Sequence, residues 1–177
     1  MAMQNQQRCG QTLLSPLLVP VSRTGSYLLV LVDMQTGFPA ACNELLQVRV
    51  ARLIEHARAR NWPIVALSVS GKGKTVPRIA AALADYELVE FIEKQTTSGS
   101  AKVLEACQKR AFSTGKFLVC GVNTGACVLE TVRGLAFSPG HPMVATLMDA
   151  CGDEVAGDWY EFPEASNVSL IPSLDLL

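Results

Sequence analysis

Three side chains of this chain are of types that do chemistry and fall at the ends of hydrophobic runs: Asp33, Lys94 and Cys127. The segment Val119-Cys120-Gly121-Val122-Asn123-Thr124-Gly125-Ala126-Cys127-Val128 reads as a buried strand, a tight turn and the start of a helix. Gly121 and Gly125 let the backbone turn and come close to a ligand. In the first turn of a helix, the macrodipole and free N–H groups favour a thiolate at Cys127. The layout is analogous to a nucleophile elbow with cysteine in place of serine, and the same N–H groups could hold an oxyanion. The ordinary alternative is a cysteine packed in an apolar helix, which is how Cys120, inside the preceding strand, is read.

Asp33 closes the run Leu28-Leu29-Val30-Leu31-Val32. A carboxylate there can cap the following turn, or act as a general base that takes a thiol proton and returns it to a leaving amine. Lys94 follows Val89-Glu90-Phe91-Ile92-Glu93. It reads as a solvated surface charge or, beside Asp33 and Cys127, as a cation that stabilises both thiolate and carboxylate. Glu90 and Glu93 are read as surface residues.

Elements that position these groups follow from the pattern of apolar runs alternating with amphipathic segments, which predicts a parallel sheet covered by helices. Strands are expected at Tyr27–Val32, Pro63–Val69, Leu88–Ile92, Phe117–Val122 and Pro142–Met148, the last ending at Asp149, with Val168–Ile171 as a further edge strand. Helices are expected at Asn43–Arg60 with Asn43 as cap, Val76–Leu83, Ser100–Arg110 and Thr124–Phe137. The fold class is α/β, a Rossmann-like three-layer arrangement with a mainly parallel sheet of about six strands. One domain is expected over 25–177, with residues 1–24 a flexible start or an extra edge strand.

The chain's 177 residues and formal net charge of -1 describe a globular domain with no basic stripe for nucleic acid. The pair Lys72 and Lys74 is read as a solvated loop. Six cysteines include no CxxC pair, and several sit in apolar runs, so reduced thiols and a cytoplasmic location are expected. Two histidines, His56 and His141, gather no ligand cluster, so no metal is expected. Leu13–Val21 is apolar but broken by prolines, and neither a signal peptide nor a membrane span is expected. No GxGxxG follows the first strand, and Gln35 stands where a phosphate-transfer site would need a second acid.

Taken together, Leu29-Val30-Leu31-Val32-Asp33-Met34-Gln35, Glu93-Lys94 with Ser98, the segment Cys120–Val128, and Met148-Asp149-Ala150-Cys151 resemble the isochorismatase-like cysteine hydrolases, which include nicotinamidases and carbamoyl-amide hydrolases. The resemblance spans roughly residues 27–172. It implies that Cys127 attacks a carbonyl carbon, Asp33 shuttles the proton and Lys94 orients and polarises the pair. A thioester forms, an amine or ammonia leaves, and water releases the acid. It also implies a cis peptide at Val122–Asn123, an oxyanion hole from the N–H groups of Asn123 and Cys127, and substrate contacts from Phe38 and Thr124. No cofactor is implied. A small-molecule substrate and a homo-oligomer are, with the apolar Leu13–Val21 as a candidate interface.

Departures from the family pattern shape the expectation. Metal-using nicotinamidases carry histidines between the second strand and the lysine, whereas Ser70–Glu90 contains none. That stretch is compact, so the lid is reduced or comes from another subunit. Ser98-Gly99-Ser100 stands where relatives often carry an aromatic residue. The reading is therefore hydrolysis of a small amide, imide or carbamoyl compound. A non-catalytic metabolite- or protein-binding member and an isochorismate-type ether hydrolase are the alternatives.

Overall fold

The computed structural model describes residues 26–154 and 159–177, so the expectations for residues 1–24 lie outside the described residues. Six parallel strands form one sheet in the order β3-β2-β1-β4-β5-β6. They are β1 (Leu28–Val32), β2 (Ile64–Val69), β3 (Val89–Lys94), β4 (Lys116–Val122), β5 (Met143–Gly152) and β6 (Val168–Ile171). The helices are α1 (Glu44–Ala59), α2 (Pro77–Leu83), α3 (Ser100–Arg110) and α4 (Leu129–Ala136).

β1 is buried along its whole length, which is why it reads as an unbroken apolar run rather than an alternating one. Its side chains divide between two cores. Leu29 and Leu31 pack with Leu53, Ile54 and Ile79 of α1 and α2, whereas Leu28, Val30 and Val32 pack with Val103 of α3 and Val132 of α4. Helices therefore cover both faces. Asn43 caps α1 as expected, accepting a hydrogen bond from the Leu46 N–H at 3.0 Å.

From β1 the chain winds outward through β2 to β3, then returns to place β4 on the other side of β1. That reversal opens a crevice at the carboxyl ends of β1 and β4, the position where such sheets bind ligands. Asp33 follows β1 there and Cys127 follows β4.

Three boundaries differ from the sequence reading by more than one residue. β3 continues to Lys94, because Ser68 and Val69 of β2 are available to pair Glu93 and Lys94. β5 runs through Asp149 to Gly152. The register with β4 shifts within β5: between the pairs Val119–Thr146 and Gly121–Cys151 the extra residues lie on β5, so Gly121 and Val122 pair with Cys151 and Gly152. Thr124–Val128 forms a π-helical turn before α4, with the Val128 N–H donating to the Asn123 carbonyl and the Leu129 N–H to that of Thr124.

Candidate active site

Asp33 is fully buried and holds a left-handed backbone, φ 53°. Its N–H donates to the Leu67 carbonyl at 3.1 Å, and its own carbonyl accepts from the Gln35 N–H at 2.7 Å. These two bonds turn the chain sharply at the end of β1 and hold the carboxylate inside the crevice. Gly121 of β4 lies against the backbone of Val32, the residue before Asp33. Its φ is 124°, and a Cβ there would collide with the Val32 carbonyl, so only glycine lets β4 lie this close to β1.

Lys94 is 1% exposed, so it is not the surface charge that a lone lysine at a strand end suggests. Its Nζ lies 2.9 Å from Asp33 Oδ2 and donates to the carbonyls of Thr96 and Thr97, each at 3.1 Å. Cys127 Sγ is 3.5 Å from the same nitrogen. The ammonium thus sits in a cage of oxygens with the sulfur at its edge. Both Asp33 oxygens are buried without an aligned hydrogen-bond donor, so Lys94 acts on the carboxylate mainly as a close charge.

The electrostatics correct one expectation. Burial, then the neighbouring Asp33 carboxylate, push the Cys127 thiol above its ordinary value, and Lys94 only partly opposes this. Burial first and the neighbouring carboxylate second thus oppose the thiolate that a helix N-terminus would favour at Cys127, which lies in a π turn. Asp33 is itself raised by burial, with Lys94 and the Cys127 thiol opposing. The arrangement brings an acid, a thiol and a lysine together, with burial opposing ionisation of both the acid and the thiol.

Asn123 follows Val122 through a cis peptide bond, and its side-chain Oδ1 is buried without a partner. Thr124, 3% exposed, opens the π turn. Phe38 is buried in the loop after β1, with the Lys72 ammonium 5.0 Å from its ring centroid. Among the described residues no group of three or more His, Cys, Asp or Glu side chains could hold a metal ion.

Two supporting side chains escaped the sequence reading. Gln35 Nε2 donates to the carbonyls of Val69 at 3.1 Å and Gly73 at 2.8 Å, while its Oε1 accepts from the Val69 N–H at 2.7 Å. It ties the loop after β1 to the loop after β2. Asp153 Oδ2 accepts from the Gly125 N–H at 2.9 Å and so caps the turn that carries Cys127. Neither bond had a signal in the sequence beyond a polar residue near a strand end. A cleft of about 170 Å³ opens beside Asp153, lined also by Asn43, Arg49 and Asp149.

Comparison with known proteins bears directly on this arrangement. No curated protein matches the chain. Among solved structures, it is similar to N-carbamoylsarcosine amidase from Thermoplasma acidophilum, with a TM-score of 0.65 and 15% identity over 82% of this chain and 95% of that one. The nicotinamidase SaPncA from Staphylococcus aureus has a TM-score of 0.60 and 16% identity over 72% of this chain and 83% of that one. The YcaC gene product of Escherichia coli, an octameric hydrolase of unknown specificity, has a TM-score of 0.58 and 19% identity over 72% of this chain and 64% of that one. At these identities the likeness shows the fold. The isochorismatase domain model matches residues 27–160, most of the chain, and the protein belongs to the isochorismatase family.

Proposed function

We propose that this protein is a hydrolase that cleaves a small amide, imide or carbamoyl compound through a thioester on Cys127. The observation that carries the reading is the convergence of a buried Asp33–Lys94 ion pair on a partly exposed cysteine at the sheet's switch point. A buried ion pair is a weak way to stabilise a fold, and a cysteine beside it gains a base and a cation at once.

The steps follow from the proton inventory. Sulfur attacks the carbonyl carbon while its proton passes to Asp33, whose buried oxygens have acceptor capacity to spare. Lys94 keeps the crevice from accumulating uncompensated negative charge as the sulfur loses its proton. The developing oxyanion is received by the N–H groups of Asn123 and Cys127. Among the described residues, neither donates to a backbone carbonyl outside the helices and strands. The C–N bond then breaks as Asp33 returns the proton to the departing nitrogen. Water, giving its proton to Asp33, attacks the thioester. The C–S bond breaks, and the proton goes back to sulfur as the acid leaves. Phe38 and Thr124 form part of the substrate wall in this reading.

The protein is further read as a cytoplasmic homo-oligomer. Among the described residues no helix is long and apolar enough to cross a membrane. Exposed Phe91 and Phe137 offer apolar surface for a second copy.

The test is ammonia release from a panel of small amides that includes nicotinamide and N-carbamoylsarcosine, with wild type and Cys127→Ala side by side. The substitution is expected to lower turnover at least about a thousandfold, with an unchanged far-UV spectrum. Full turnover by folded C127A would remove the mechanism.

A further inference from the structure

We propose that Thr131 is a positioning residue that sets the register between the helix carrying Cys127 and the loop that cages Lys94, an inference that rests on the reading of these two groups as one catalytic unit. Thr131 is fully buried on α4. Its hydroxyl donates to the Cys127 carbonyl at 2.7 Å. A threonine bonding back to the carbonyl four residues earlier is common in helices and by itself signifies little. The second bond is the informative one. The same oxygen accepts from the Gly99 N–H at 2.9 Å, a group on a different segment of the chain.

Gly99 belongs to the loop that runs from Lys94 to α3, and that loop supplies the Thr96 and Thr97 carbonyls holding the Lys94 ammonium. One buried oxygen therefore joins the backbone of the nucleophile's residue to the backbone of the lysine's cage. The loop packs closely against β2 and α4. A Cβ on Gly99 would collide with Leu67 Cδ1, and Ser98 Oγ donates to the Glu130 carbonyl at 3.0 Å. Without the Thr131 hydroxyl, the Gly99 N–H would be buried and unpaired, a cost the loop relieves by moving away from α4. Such a movement takes the ammonium from the sulfur and leaves the neighbouring carboxylate less opposed.

The consequence is a thiol harder to ionise. Alkylation of Cys127 by iodoacetamide, followed across pH by peptide mass spectrometry, reads this directly. Thr131→Val, close in shape but without a hydroxyl, is expected to move the Cys127 inflection upward by about one pH unit. Thr131→Ser, which restores the bridge, is expected to return it to the wild-type position. Packing alone would not distinguish these two variants in that way. A T131V profile that superimposes on wild type, or a T131S profile displaced as far as T131V, overturns the proposal. Should T131V not fold, Thr131→Ala is compared with T131S in its place: an upward displacement in T131A that T131S lacks sustains the proposal, and superimposed profiles overturn it. Asp33→Asn, run alongside, separates the two failures. If D33N moves the inflection down while T131V does not move it, the positioning role falls and the Asp33 reading stands. If D33N leaves it unmoved, the reading of Asp33 itself fails.

Discussion

The two ends of β3 carry the same kind of interaction in opposite settings. Near its start, Glu90 pairs with Lys109 at 2.6 Å and Arg110 at 2.9 Å, both from α3. At its end, Lys94 pairs with Asp33 at 2.9 Å, with both side chains essentially removed from solvent. The first pairing lowers the Glu90 pKa, chiefly through the Lys109 hydrogen bond, and its two cations reach solvent. In the second, burial dominates and raises Asp33 despite the ammonium beside it. An ion pair that helps hold a strand to a helix leaves its acid stronger. One that is shut away from water leaves its acid weaker. Distance does not distinguish them; dehydration does.

Lys94→Met tests that contrast with the largest stability effect. It leaves the Asp33 carboxylate buried with no cation, and unfolding in urea should show a loss of about 3–5 kcal/mol at neutral pH. The double variant Lys94→Met with Asp33→Asn should recover part of that loss, because the uncompensated charge is gone. Equal destabilisation by both would mean that packing, rather than charge, holds the lysine.

Glu90→Gln should cost about 0–1 kcal/mol in the same assay. Its pH dependence has a definite sign. A carboxylate whose folded pKa lies below its unfolded one contributes above the unfolded value, and the contribution vanishes as pH falls through the folded value. The gap between wild type and E90Q should therefore close on acidification below the ordinary carboxylate range. A gap that widens there would reverse the account of this end of the strand.

Much of this architecture was legible in the sequence, and its gaps share a cause. β1 was readable because a central parallel strand buried on both faces must be apolar throughout. Asp33 and Cys127 stood out because polar residues of reactive type ended such runs. Lys94 could not be assigned from its own segment. The pattern of β3 mixes half-buried and exposed positions, and nothing local says that its final residue turns inward. The Gln35 clamp, the Asp153 cap and the Thr131 bridge join segments far apart in the chain, and no local pattern encodes them. The environment of Cys127 is non-local in the same way: a dipole argument needs only the turn, whereas the burial and the carboxylate that raise the thiol come from the packed sheet and from the end of another strand.

In the proposed mechanism Asp33, Lys94 and Cys127 form one electrostatic unit with the proton resting on sulfur. Its most direct test is the pH profile of Cys127 alkylation in wild type and Asp33→Asn, mapped by mass spectrometry against the buried Cys107 and Cys120 as internal references. In wild type, Cys127 should react with an inflection above the ordinary thiol value. In D33N, losing the carboxylate and keeping Lys94 should bring that inflection down by about one unit or more. Coincident profiles, or an inflection that rises in D33N, would contradict the claim.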